Sequence, residues 1–218
     1  ASGGDNGIDA RNYGSGTLAV TATGDVTSTN GDGISAYNSA NGTDLVINAA
    51  DTEGGRIGIF AANIGQNLSV TTHDATGGYD GILAVNRDFA NGDVTVTATG
   101  SVDGNTRFGI AALNYGTGGA INISANNVSG GQDGIFTLTG TGNTGTTIVT
   151  TGNVSGAARF GIVAQNIGSG DVIVEANNVS GGMGGIYAYN TNIGTGISIH
   201  TTGLISGTPT QVGTFAIG

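Results

Sequence analysis

The chain has 218 residues, of which 44 are glycine, 37% are hydrophobic and only 9% are charged. Its net charge is −10, and it contains no cysteine. The acidity excludes the basic patch that nucleic-acid binding requires and the attraction to anionic membranes, and the lack of cysteine excludes disulfides and thiolate chemistry. No apolar run approaches the ~18 residues of a membrane-spanning helix, so we expect no membrane insertion.

The dipeptide Gly-Ile recurs along the chain at intervals of 23 to 28 residues. A period of this length is typical of stacked repeat arrays, in which one unit cannot bury its apolar face alone. We therefore predict one array over residues 1–218, interpreted as a fragment of a longer protein, with coils that start near residues 7, 33, 58, 81, 109, 134, 161, 185 and 213.

Each unit contains three short segments with β character. The first has the pattern G-I-x-A-x-N, as in Gly109–Asn114; the second alternates two apolar residues, as in Val94 and Val96; the third centres on one, such as Val102. Gly, Asn and Asp fill the corners, where tight turns favour them. The pattern predicts an all-β parallel β-helix (solenoid) of 8–9 triangular coils, stacked ~4.8 Å apart with Ile and Val inward.

An asparagine follows the Ile by four residues in seven of the eight complete units, and Thr139 takes its place in the other. Stacked amides hydrogen-bond along the stacking direction in other cross-β ladders, so we interpret this column as structural and not as a ligand site. The predicted Asn ladder consists of Asn12, Asn38, Asn63, Asn86, Asn114, Asn166 and Asn190.

Units also alternate in the residue near the Gly-Ile dipeptide, which is Asp in one type and Arg in the other. Stacking would place the two charges in turn along one edge, where exposed pairs contribute only ~0–1 kcal/mol each. We interpret this edge as a solvated charge ladder that fixes register, and an anion-binding groove is the alternative. Its members are Asp32, Arg56, Asp80, Arg107, Asp133 and Arg159.

The segments Asp93–Val102, Arg107–Gly116 and Gly170–Gly181 resemble passenger-domain repeats of large autotransporter (type V secretion) adhesins of Gram-negative bacteria. The resemblance covers nearly the whole chain. It implies a right-handed β-helix displayed outside the outer membrane or secreted, with a role in adhesion, autoaggregation or biofilm formation. It transfers no binding residue, because the repeats are scaffold.

One region departs from the repeat, because the third segment of coils two and three lacks its Val. Asp51 and Glu53 stand in one of these coils and His73 and Asp74 in the next. Stacking would bring Asp51 and Asp74 within ~5 Å of each other. That geometry suits a Ca²⁺ site or the carboxylate pair of a retaining glycosidase. A solvated acidic corner is the interpretation we favour, with no cofactor.

Other motifs give weaker signals. Gly140–Gly145 matches G-x-G-x-x-G, but a strand pattern follows it where a dinucleotide site needs a helix. Tyr13 and Tyr115 follow ladder asparagines and are interpreted as turn packing, with a sugar-binding platform as the alternative. An ice-binding face would need an unbroken Thr array, and Asn126 and Asn177 interrupt the Thr column.

The sequence thus predicts a non-catalytic surface scaffold, and a carbohydrate-active enzyme and an ice-binding solenoid are the alternatives. Expected partners are a protein or glycan of a host or neighbouring cell, or a second copy of the chain. Recognition by loops would use the longest corner insertions, Ser39–Asp44, Arg87–Asp93 and Thr191–Thr195.

Overall fold

The computed structural model describes residues 2–3, 5–87, 91–207 and 214–217, and the side chains of residues 5–87 and 91–207. These residues form 24 strands, numbered β1–β24 in chain order, and no helix. The strands pair in parallel with the equivalent segments of the coils before and after, in a 15-stranded and a 9-stranded sheet. The predicted parallel β-helix is therefore confirmed. No helix that could cross a membrane occurs among the described residues.

The first segments of the coils form the 9-stranded sheet. They are β2 (Ile8–Asn12), β5 (Ile34–Asn38), β8 (Ile57–Asn63), β11 (Asp80–Asn86), β13 (Phe108–Asn114), β15 (Asp133–Thr139), β18 (Phe160–Asn166), β21 (Gly184–Asn190) and β24 (Thr214–Ile217). Equivalent residues pair in register from coil to coil, as in Ile59 with Ile82 and Ile82 with Ile110. Gly213, the predicted start of a ninth coil, lies outside the described residues, although β24 pairs with β21.

The second and third segments form the 15-stranded sheet. The second segments are β3 (Leu18–Ala22), β6 (Leu45–Ala49), β9 (Leu68–Thr72), β12 (Val94–Gly104), β14 (Ala120–Gly130), β16 (Gly145–Thr150), β19 (Asp171–Ala176) and β22 (Gly196–Thr201). The third segments are β1 (Ser2–Gly3), β4 (Val26–Ser28), β7 (Thr52–Gly54), β10 (Ala75–Gly77), β17 (Asn153–Gly156), β20 (Asn178–Gly181) and β23 (Ile205–Ser206).

Two coils differ from the predicted three separate strands, because β12 and β14 run through the corner between their second and third segments. Ala98 pairs with Ala125, but the next pair is Ser101 with Asn127, so β12 holds one extra residue. This local insertion is a β-bulge, which bends the strand without ending the pairing.

The core is a set of stacked apolar columns that run the length of the coil stack. Ile59, Ile82 and Ile110 are fully buried in one column, and Val70 and Val96 are fully buried in another. Alternation of side chains along each strand sends every second residue inward, which explains why Ile and Val recur with a period of two. The columns join into one continuous hydrophobic core.

The glycine before each Ile is required by packing. At Gly109 a Cβ atom would lie 2.4 Å from a Val128 methyl group, 2.6 Å from Ser129 O and 2.7 Å from Gly134 O. A side chain there would press on the third segment and on the coil above. The repeated Gly-Ile dipeptide thus marks the corner where the coil closes on itself.

Candidate functional site

The Asn ladder lies inside the coil stack. Asn12 Nδ2 donates to Asn38 Oδ1 at 2.8 Å, Asn38 to Asn63 at 2.8 Å, and Asn63 to Asn86 at 3.0 Å. Asn63 Nδ2 also donates to two carbonyls of its own corner, and its Oδ1 accepts the N–H of Gly65 at 3.1 Å. In the upper coils Asn166 donates to Asn190. These amides are used by the fold itself, which leaves them unsuited to bind a ligand.

The side-chain bonds of the ladder stop at Asn86 and resume at Thr139, whose Oγ1 donates to Asn166 Oδ1, and a residue that the sequence pattern did not single out lies in the gap. Asn143 is fully buried. Its Nδ2 donates to Asn114 O at 2.7 Å and Gly116 O at 3.1 Å, and its Oδ1 accepts two glycine N–H groups. The missing amide at Thr139 was the signal for this residue, because a buried corner needs another donor there.

A second column of polar caps lies at the corner before the third segment. Asp74 Oδ1 accepts the N–H of Ser101 at 2.6 Å, and Asn127 Oδ1 accepts the N–H of Asn153 at 3.0 Å. Asn178 Oδ1 accepts the corresponding N–H of the last complete coil at 2.8 Å. Each side-chain oxygen therefore accepts a backbone N–H of the coil above it. Asp74 belongs to this structural column, a role that the sequence interpretation missed.

The Arg/Asp edge is not a row of solvated charges, contrary to the sequence interpretation. Asp32, Asp80 and Asp133 are fully buried. Arg56 binds Asp32 through two hydrogen bonds, Nε to Oδ1 at 2.8 Å and Nη2 to Oδ2 at 2.5 Å. Arg107 binds Asp80 in the same bidentate manner. Each Asp pairs with the arginine of the following coil.

Register explains why these carboxylates are buried. Asp80 pairs with Ile57 of the coil below, and its Oδ1 accepts the N–H of Phe108 in the coil above at 3.1 Å. The apolar neighbours cover the carboxylate, and a buried charge needs a paired partner. Since the guanidinium groups of Arg56 and Arg107 are hydrogen-bonded in this way, the alternative of an anion-binding groove loses two of its three donors.

The third pair is weaker than the other two. Arg159 Nη2 lies 3.5 Å from Asp133 Oδ2, and that oxygen has no hydrogen-bond partner among the described residues. Burial raises the pKa of Asp133, and the N–H of Phe160 at 2.8 Å and the charge of Arg159 oppose that shift only in part. The Asp133 carboxylate is therefore the least well compensated charge of the edge.

The acidic corner brings together three of the four residues predicted there. His73 Nδ1 lies 2.8 Å from Asp51 Oδ1 and 3.5 Å from Asp74 Oδ2, and one ligand atom from each residue lies within 4.8 Å of the others. Glu53 is separate from this cluster: it lies in β7 and pairs in register with Thr76. The inward positions at which Val is missing are taken by Thr52 and Ala75, which are both buried.

The chemistry available to this corner is narrow. The hydrogen bond that His73 donates to Asp51 and then the charge of Asp74 raise the pKa of His73, which favours the imidazolium form. One Asp74 oxygen caps the Ser101 N–H. The three side chains, one of which offers a nitrogen, would supply only part of the six to eight oxygens that Ca²⁺ takes, and water would have to supply the rest. The corner is best described as a surface ion-pair cluster.

The outward side of the 9-stranded sheet is apolar from β8 to β21. We call this surface the aromatic face. Its residues alternate along the strands with the buried columns, and most are half-buried. They are Phe60, Ala62, Leu83, Val85, Ala111, Leu113, Phe136, Leu138, Val163, Gln165, Tyr187 and Tyr189, with Phe108 and Phe160 at the edge.

Aromatic and cationic residues are concentrated on this one sheet. Every Tyr and Arg of the chain, and every Phe except Phe89, lies in a strand of the sheet or next to one. Phe89 lies outside the described residues. The outward positions of the second segments are mostly polar, such as Thr95, Thr97 and Ser124, although Val149 and Ile173 also point outward. This segregation is not visible in the inward positions, which define the repeat in the sequence.

Rings from neighbouring coils contact one another across the aromatic face. Phe108 and Phe136 stack with centroids 5.1 Å apart, and the Arg107 guanidinium lies 5.2 Å from the Phe108 centroid. Phe60, Leu83 and these residues line a cleft of about 360 Å³. The face thus presents aromatic rings and ion-paired guanidinium groups to a binding partner.

Tyrosines stand at the edges of the face. Tyr79 is 53% exposed and Tyr115 is 44% exposed. Tyr13 follows β2, outside the face; it is 65% exposed, and its ring lies 5.9 Å from that of Tyr37. Such exposure leaves these rings accessible to a partner, beyond the turn packing that the sequence predicted. Of the corner insertions, residues 88–90 lie outside the described residues.

No protein-family model, curated protein or solved structure matches this chain.

Proposed function

We propose that this chain is a non-catalytic β-helical scaffold of an autotransporter-like adhesin, displayed on a bacterial surface or secreted, that acts in adhesion, autoaggregation or biofilm formation. The observation that carries the proposal is the aromatic face. A scaffold that served only as a spacer would have no need to collect its tyrosines, phenylalanines and arginines on one of three sides. Protein contact surfaces are enriched in these residue types.

The mechanism follows from the stacking of the coils. Equivalent outward residues repeat every ~4.8 Å along the rod, so a partner meets similar groups in several successive coils. Single contacts of this kind are weak, but several made at once give high avidity. Expected partners are a surface protein or a glycan of a host or neighbouring cell, or a second copy of the chain.

The non-catalytic part of the proposal rests on the acidic corner. Glycoside hydrolysis needs one carboxyl group that can donate a proton and another that can attack or activate water. Here Asp51 is hydrogen-bonded to His73, and one oxygen of Asp74 is bound to the Ser101 N–H. These contacts give both carboxylates a structural role.

A binding screen tests the proposal. The purified chain is applied to a glycan array and to cultured cells, with and without Ca²⁺, beside a variant that carries Phe60→Thr, Leu83→Thr and Phe136→Thr. We expect binding by the wild type that the variant loses and that a chelator leaves unchanged. Binding that survives the three substitutions would remove the aromatic face from the account.

Enzyme activity is assayed on the same preparation. We expect no release of sugar from polysaccharide substrates. Hydrolysis that is abolished by Asp51→Asn or Asp74→Asn would replace the adhesin proposal with the carbohydrate-active alternative.

A further inference from the structure

We propose that two copies of this chain dock through their aromatic faces and form a face-to-face dimer. This inference rests on the proposed function and names one partner for the same surface.

The composition of the face is that of an interface core. Phe60, Leu83 and Phe136 project outward from three coils, where the outward positions of the other sheet are mostly Ser and Thr, with Val149 as the apolar exception in the coil of Phe136. Tyr79 and Tyr115 stand at its edges. Interface cores are enriched in aromatic residues and arginine and depleted in lysine, aspartate, glutamate and serine. A surface exposed permanently to water would not need this difference between the sheets.

The area of the face is sufficient for a stable dimer. Six coils, from β8 to β21, present outward apolar residues on strands of seven residues. With ~4.8 Å per coil and ~3.3 Å per residue, the face measures about 29 by 23 Å, or about 650 Å² for each copy. Two copies would then bury about 1,300 Å² in total, within the range of ~1,200–2,000 Å² found for specific interfaces.

Charge favours a second copy over a charged partner. The chain has a net charge of −10, but the arginines of the face are mostly matched by aspartates: Arg56 by Asp32 and Arg107 by Asp80. Most other acidic residues lie at the corners or on the other sheet. A basic partner would be drawn to those corners and an acidic one repelled by the molecule. The aromatic face is the side on which two copies meet with little like-charge contact.

Salt dependence separates this dimer from one held by ion pairs. Two copies repel each other through their net charge, and salt screens that repulsion over distances of about 10 Å at 0.1 M ionic strength. Apolar contact is not weakened by salt. Dimerisation through the aromatic face is therefore expected to strengthen as sodium chloride is raised, whereas a dimer held by ion pairs would weaken.

Sedimentation velocity over a range of protein and salt concentrations measures the association. The test variant carries Phe60→Thr, Leu83→Thr and Phe136→Thr. Threonine occupies outward strand positions on the other sheet, so the coil should tolerate it, and circular dichroism verifies the fold. We expect the dimer dissociation constant to rise at least about tenfold.

The matched control alters outward positions of the polar sheet, with Ser69→Thr, Thr95→Ser and Ser124→Thr. It should dimerise like the wild type. A wild-type chain that stays monomeric at all concentrations would overturn the proposal, as would a dimer that the control substitutions weaken and the aromatic-face substitutions do not.

Cross-linking locates the contact. Because the chain has no cysteine, Leu113→Cys on the aromatic face and Thr97→Cys on the polar sheet each create a single thiol. A short bifunctional maleimide should link copies of the Leu113→Cys variant and leave the Thr97→Cys variant unlinked, and the reverse would place the interface elsewhere. If the chain is monomeric and still binds cells through the aromatic face, the dimer is refuted and the adhesin proposal stands. If the chain forms the dimer but binds no cell or glycan, only the adhesin proposal is refuted.

Discussion

The Asn ladder makes a quantitative prediction about stability at Asn63. Its amide accepts from Asn38 and from the N–H of Gly65, and it donates to Asn86 and to two corner carbonyls. Asn63→Ala would leave several of these buried groups without a partner. An unsatisfied buried group costs ~1–3 kcal/mol, and because some partners keep a second hydrogen bond, we expect a loss of about 2–4 kcal/mol in the free energy of unfolding.

The first ladder residue provides the matched control. Asn12 makes the same kind of bond to Asn38 but is half-exposed, so water can replace its amide. We expect Asn12→Ala to cost about 1 kcal/mol or less. Asn63→Leu separates hydrogen bonding from volume, because it refills the space and still leaves the polar groups unpaired.

Urea unfolding followed by circular dichroism measures these differences, provided that the slope of each transition is unchanged. The reasoning predicts that Asn63→Ala and Asn63→Leu both destabilise the chain more than Asn12→Ala does. It would be refuted if Asn63→Leu restored wild-type stability, because the ladder would then act through packing alone.

Three further predictions use the same assays and NMR. Thr146→Val should stabilise the chain by about 1 kcal/mol, because the buried Thr146 hydroxyl has no hydrogen-bond partner among the described residues; an unchanged or lower unfolding midpoint contradicts this. Asp80→Asn should destabilise the fold, because it breaks a bidentate ion pair. Asp133→Asn should be neutral or stabilising at pH 7, because the raised pKa of Asp133 means that its charged form disfavours folding at any pH above that pKa. Equal losses of stability in the two variants would contradict the difference in pairing. The pKa of His73 should lie above its ordinary value and fall in the Asp51→Asn variant. The His73–Asp51 contact therefore stabilises the fold in acid, and this stabilisation is lost as pH rises through the folded pKa. An NMR titration of His73 that Asp51→Asn leaves unchanged, with the other histidine as reference, would contradict the contact.

The sequence was sufficient to predict the architecture, because the same residue types recur at equivalent positions of successive coils. Gly109 and Ile110 mark a corner and a core column, and their copies recur in each of the eight complete coils. The Asn positions follow from the same alignment. Thr139 showed that one coil lacks the expected Asn. Which residue supplies an amide in its place depends on the path of the corner, so Asn143 could be identified only from the structure.

The surface was harder to predict than the core. Asp80 was predicted to be solvent-exposed because Asp and Arg alternate between successive coils of the sequence. Its carboxylate is nevertheless buried, because it stacks next to Ile57. That outcome depends on which residue lies in the adjacent coil. The aromatic face was missed because Leu83 and Phe136 follow inward residues whose regularity dominates the repeat. An alignment of outward positions between coils would have revealed it.

Residue-level footprinting on the bound chain tests the central claim most directly. Side-chain modification is compared between the free protein and the protein bound to target cells or to itself. The account predicts that Tyr79 and Tyr115, exposed at the edges of the aromatic face, become protected while His73 and His200 on the other segments do not. Protection of the histidines with unchanged tyrosines would show that recognition uses another side of the coil.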